Sequence, residues 1–141
     1  MPARQESCCF TGHRPAKLPW GMDETDARCL RLKAQIADAL EAAYQSGYRH
    51  FICGMALGCD LYFCEAALAL RAQYPGVTVE AALPCPTQTE GWPREQQLRH
   101  ARLVAACDLE TVVSPGIYRR VHAAPGPVYG GSCLAADRGL R

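Results

Sequence analysis

The 141-residue sequence predicts an α/β fold built on a mainly parallel sheet. Short, continuously apolar runs alternate with longer segments of helical periodicity, and Gly or Pro punctuates the junctions. Strands buried on both faces read as such continuous runs, and right-handed crossovers join them into a parallel sheet. The predicted order is strand, helix, strand, helix, strand, helix, strand.

Residues 7–11, Ser-Cys-Cys-Phe-Thr, are the first apolar run, ending at Gly12. From Gly12 to Met22 the chain reads as a loop, since Pro15, Pro19 and Gly21 oppose regular structure. Asp23 is then a candidate helix cap, and Leu32, Ile36, Leu40 and Ala43 recur at helical spacing until Gly47. His50 to Cys53 is the second strand, stopping at Gly54-Met55-Ala56-Leu57-Gly58. Cys59 to about Gln73 carries Leu61, Glu65, Leu68 and Ala72 along successive helical turns and ends before Pro75-Gly76. Val77 to Leu83 is the third strand, broken by Pro84 and Pro86. Pro93 to Ala106 is the third helix, with Pro93 suited to its first turn and Leu98, Arg102 and Ala105 on one side. Leu109 to Val113 is the fourth strand.

Composition narrows the function. With 49% hydrophobic and 21% charged residues, one globular domain is expected. Fifteen Lys+Arg against fourteen Asp+Glu give a net charge of +1, which provides no field to gather nucleic acid or acidic lipid. No apolar run approaches the roughly 20 residues of a membrane helix, and the opening residues are too polar for a signal-peptide core, so a cytoplasmic protein is expected. The nine cysteines are odd in number and contain no C-x-x-C pair. No metal site is expected, and most of the thiols sit in apolar runs as small hydrophobes.

In open parallel sheets, ligands bind outside the C-terminal strand ends, and each unusual cluster falls there. The first is Phe10-Thr11-Gly12-His13-Arg14-Pro15. Gly12 allows close backbone approach, Thr11 offers a hydroxyl, His13 a donor, and Arg14 a planar fork for phosphate or carboxylate. The same residues also read as a turn with solvated charges. The second cluster is Gly54 to Asp60, where two glycines flank a strand-to-helix turn whose helix N-terminus favours an anion. Asp60 either caps that helix or accepts a ribose or base hydrogen bond. Cys59 is either a nucleophile at a helix start or a plain small residue. The third is Pro84-Cys85-Pro86 with Gln88, Trp92 and Arg94, where an aromatic face and an amide suit a base or ribose and Trp92 equally suits packing over the loop.

Phe10 to Pro15 with Lys17-Leu18-Pro19, Gly54 to Gly58 with Asp60, and Pro84 with Gln88 and Trp92 together resemble the YpsA-like branch of the SLOG superfamily over about residues 7–118. The superfamily also includes the DNA-processing protein DprA and the LOG phosphoribohydrolases. The resemblance implies a Rossmann-like three-layer sandwich and a site for a nucleotide-type ligand such as ADP-ribose, NAD or a nucleoside monophosphate. It implies ligand contacts at Thr11, Gly12, His13, Arg14, Gly54, Met55, Ala56, Gly58, Asp60, Pro84, Gln88 and Trp92. It also implies a possible protein partner and self-association.

The tail departs from that family. Residues 119–141 show neither strand nor helix periodicity and carry Pro125, Gly126, Pro127, Gly130 and Gly131. Codons compatible with Tyr118 onward, read one nucleotide later, can spell a peptide resembling the family's continuation. The expectation is a 1–118 domain with an irregular, out-of-frame tail, an incomplete C-terminal part and an open sheet edge. DNA sequencing across codons 114–141 tests this, and codons incompatible with the shifted peptide contradict it.

Three functions follow in order of fit. A nucleotide-type ligand-binding sensor or regulator places phosphate between the Gly12 and Gly54–Gly58 turns, with Arg14 pairing its charge. A LOG-like phosphoribohydrolase or N-glycosidase needs a carboxylate at the anomeric carbon, for which Glu65 is the nominee, but the LOG-type Pro-Gly-Gly-x-Gly-Thr-x-x-Glu loop is absent. DprA-like single-stranded DNA binding is weakened by the balanced charge, with Arg94, Arg99 and Arg102 reading as a solvated helix face.

Overall fold

A computed structural model describes residues 7–11, 15–113, 118–121 and 132–135. Strands β1 (Ser7–Thr11), β2 (His50–Cys53), β3 (Thr78–Leu83) and β4 (Leu109–Val112) alternate with helices α1 (Ala27–Gln45), α2 (Cys59–Gln73) and α3 (Arg94–Ala106). Two further strands, β5 (Tyr118–Val121) and β6 (Ser132–Ala135), complete a sheet of order β5-β4-β3-β2-β1-β6. All neighbours are parallel except β4 and β5. This is the α/β, Rossmann-like arrangement expected from the sequence.

Because β1 to β4 lie side by side in chain order, right-handed crossovers place α1, α2 and α3 on one face. The core lies there. Ile36 and Leu40 of α1 and Leu61, Phe63 and Ala67 of α2 pack with Phe51, Val79 and Ala81 of the sheet. Phe51 and Phe63 meet at a tilted ring contact of 6.5 Å. Strand alternation sends Ser7, His50, Glu80 and Thr111 to the other face, where all four are buried. His50 Nε2 lies 2.8 Å from Glu80 Oε1, and Thr111 Oγ1 donates to Glu80 Oε2 at 2.7 Å. His50 Nδ1 lies 2.7 Å from Thr78 Oγ1, so one polar chain crosses β2, β3 and β4.

Several boundaries differ from the sequence reading. Asp26, not Asp23, caps α1 by accepting from the Arg28 N–H at 2.8 Å. The hydrogen bonds and charge of Arg28 hold the Asp26 carboxyl down to about 2. Asp23 instead accepts from the N–H and hydroxyl of Thr25, a local turn that delays the helix. On α3 the buried residues are His100, Leu103 and Val104, while Leu98 is 53% exposed. One arginine and two apolar residues gave a misleading face there, because the side that meets the sheet is anchored by a histidine.

The tail also differs. β5 pairs with β4 and β6 with β1, so these strands flank the edges that an incomplete sheet would have left open. Backbone pairing is nearly sequence-independent, and four-residue strands are too short to show a period. Cys8, Cys29, Cys53, Cys59, Cys64 and Cys107 are buried free thiols. Burial pushes Cys8 up to about 11 and also raises Cys53, which leaves both unreactive as core residues. Among the described cysteines, Cys85 is only partly buried and Cys9 is disulfide-bonded. No helix among the described residues is long and apolar enough to cross a membrane.

Candidate functional site

The loops after β1, β2 and β3 meet around a cleft of about 680 Å³. Pro15 and Met22 come from the first loop, Ala56 and Leu57 from the second, and Pro84, Cys85, Thr87, Gln88, Trp92 and Pro93 from the third. The size suits one small organic ligand, and the position is the C-terminal strand end where parallel sheets bind theirs. Four of the residues expected from sequence, Ala56, Pro84, Gln88 and Trp92, therefore line one cavity. Gly12, His13 and Arg14 lie outside the described residues, as does the side chain of Thr11.

The second loop is shaped by its backbone. Gly58 adopts φ 97° and ψ −129°, a conformation essentially restricted to glycine. Met55 is left-handed at φ 63° with its side chain fully buried in the core, which turns Ala56 and Leu57 toward the cleft. A Cβ at Gly54 would lie 2.9 Å from Asp60 Oδ2, so glycine makes room for that carboxylate. Asp60 Oδ2 in turn accepts from the Ala56 N–H at 3.1 Å. Gly58, not Asp60, is the N-cap of α2.

A carboxylate stands at the helix start where the sequence suggested an anion site. The Asp60 carboxylate occupies the first turn of α2, and it already takes one loop N–H and complements the helix dipole. A second negative charge about 4 Å from it meets a repulsion of roughly 4 kcal/mol at an effective dielectric near 20. Among the described residues, no Lys, Arg, Asp or Glu lines the cleft.

The third loop is fixed from beneath. Gln88 Nε2 donates to the Gly54 carbonyl at 3.0 Å, and Gln88 Oε1 lies 2.9 Å from His100 Nε2, so the imidazole proton sits on Nε2. The Trp92 ring stands edge-on to His100 at 5.4 Å. The Trp92 ring packs on α3 and also lines the cleft. Burial lowers the His100 pKa, partly opposed by Glu110. With the folded value below the unfolded one, the unfolded chain takes up the proton first, so stability falls as pH drops below about 6.5. Thermal unfolding between pH 7.5 and 5.0 is expected to show this loss, and His100→Asn to lose less over the same interval. Equal losses in the two proteins would remove His100 from the account.

An ion-pair cluster holds the first loop. Arg99 bonds Glu24 at 2.6 and 2.9 Å and Glu65 at 2.6 and 3.0 Å, and Lys33 reaches Glu24 at 2.8 Å. Burial opposes ionisation of Glu24, but the hydrogen bonds of Arg99 and Lys33 prevail and hold it below the ordinary carboxylate range. Trp20 Nε1 donates to the Tyr62 hydroxyl at 3.4 Å, a second tether from this loop to α2. Arg99 is therefore no solvated helix residue, being only 13% exposed. Glu65, the nominated catalytic acid, is held in the Arg99 fork and does not line the cleft. Cys59 is fully buried in the core cluster, which fits a small packing residue and denies a nucleophile access.

Sequence reasoning missed Met22, Thr87 and Pro93 as lining residues. Their only signal was proximity to strand-end glycines and prolines.

The sequence profile described as "YpsA: YspA SLOG family" matches residues 8–123. The UPF0398 protein YpsA of Bacillus subtilis (strain 168) is 28% identical over 102 residues, which cover 72% of this chain. The match takes in 56% of that protein, so the chain spans about half the length of the curated relative it resembles.

Proposed function

Since the chain belongs to the YspA SLOG family, we propose that its cleft binds a nucleotide-type ligand such as ADP-ribose, NAD or a nucleoside monophosphate, and that the domain acts as a cytoplasmic sensor or regulator of that ligand. The carrying observation is the cleft at the ends of β1, β2 and β3, with the Trp92 ring in its wall and a volume suited to one such molecule. Trp92 and Pro84 face the base or sugar, while Thr11, Gly12, His13 and Arg14 supply the remaining polar contacts. Gln88, Gly54, Gly58 and Asp60 hold the loops in place around the ligand. Met55 acts from within the core.

Calorimetric titration with AMP, ADP-ribose, NAD and a nucleotide sugar tests this reading. At least one is expected to bind, and Trp92→Ala to weaken it about tenfold or more, since base stacking on an aromatic ring is worth about 1–3 kcal/mol. A folded chain that binds none of the four refutes the proposal. Glu65→Gln is expected to change affinity less than twofold and to cost about 1–2 kcal/mol of stability, since the amide removes the charge from a partly buried pair but keeps an acceptor oxygen for Arg99. A tenfold loss of affinity in that variant would instead place Glu65 in the binding machinery.

A further inference from the structure

We infer that Met22 is the second jaw of a ring clamp: its thioether closes on the face of the ligand's planar base that Trp92 leaves open. This rests on the ligand class proposed above and adds a specificity-determining residue to it. Sheet order carries the first part of the argument. Strand β2 lies between β1 and β3, so the loop after β2 is flanked by the other two. Met22 and Trp92 thus enter the cleft from opposite sides of Ala56 and Leu57.

The second part is the way Met22 is held. Residues 15–26 form a series of tight turns, in which the N–H groups of Leu18, Gly21, Asp23 and Asp26 donate to the carbonyls of Pro15, Leu18, Trp20 and Asp23 at 3.0 to 3.2 Å. Gly21 is left-handed at φ 57°, which turns the chain just before Met22. Both shoulders are tied down, Trp20 to the Tyr62 hydroxyl and Glu24 to Arg99 and Lys33. Leu18 and Trp20 pack against the core, yet Met22 between the tethers is 43% exposed and lines the cleft. A fixed turn therefore presents an apolar side chain to the ligand rather than burying it. Methionine is unbranched and polarisable, so it adapts to a ring and makes favourable sulfur–aromatic contacts.

The test titrates AMP, ADP-ribose and NAD into the chain with isotope-labelled methionine methyls, and Met22→Leu assigns the Met22 signal. The ligand that binds is expected to move the Met22 methyl upfield, as a group lying over an aromatic ring face does, and to move it further than the buried Met55 methyl. Calorimetry adds the energetic readout, with circular dichroism confirming the fold of each variant. Met22→Ala is expected to weaken that ligand about three- to tenfold through loss of the sulfur and methylene contacts. Met22→Leu, an apolar side chain of similar volume, is expected to stay within about twofold of wild type. An unmoved Met22 methyl, or an unchanged affinity in Met22→Ala, while a ligand binds overturns the clamp and leaves the ligand class standing. If none of the three ligands binds, both fall together.

Discussion

Glu80→Ala is expected to destabilise the fold by about 3–5 kcal/mol, the usual cost of removing one partner from a buried polar pair. Glu80 is fully buried and accepts from Thr111 on one oxygen while the other meets His50, so alanine strands both partners without access to water. Against a typical total of about 5–15 kcal/mol, such a loss leaves a marginal domain. Glu80→Gln keeps one acceptor oxygen, and the Thr111 hydroxyl can rotate to accept from the new amide, so about 1–2 kcal/mol is expected. Urea denaturation followed by tryptophan fluorescence measures both. An alanine variant within 1 kcal/mol of wild type would mean that the three-strand network contributes little to holding β2, β3 and β4 in register.

That network also shows why part of the fold escaped the sequence reading. The strands were legible because Phe51, Ile52, Val79 and Ala81 form continuous apolar runs between Gly and Pro stops. His50, Glu80 and Thr111 interrupt those runs, yet they are buried because they satisfy one another across three strands distant in sequence. Pairing of that kind has no local period. The same limit applied to α3, where His100 faces inward on its bond to Gln88, and to Arg99, whose partners lie on α2 and before α1. Helix α2 was legible to its ends, since glycine precedes it and Pro75-Gly76 follows. The strand-end glycines fall beside the cleft, but they could not tell that Gly54 makes room for the Asp60 carboxylate. A carboxylate six residues on reads as a cap until the turn between them is seen.

Ala56→Trp is expected to abolish ligand binding, with Kd rising more than 100-fold while the fold persists. Ala56 lines the cleft and is only partly buried, so an indole there projects into the space a base would fill rather than into the core. The main-chain N–H that Asp60 accepts from remains, so the turn keeps its tie. Calorimetry with the tightest of AMP, ADP-ribose and NAD, together with a thermal unfolding scan, separates blocked binding from unfolding. Unchanged affinity in a folded Ala56→Trp protein would move the ligand out of this cleft.

The most direct test of the central claim, that a nucleotide-type ligand sits where the loops after β1, β2 and β3 converge, is amide chemical-shift mapping during titration with AMP and with ADP-ribose. The expected result is that one of them perturbs residues 55–61 and 85–92 together with 17–24, and leaves the opposite end of the sheet, residues 44–49 and 74–78, unmoved. Shifts confined to that opposite end, or none at millimolar ligand, would contradict the account.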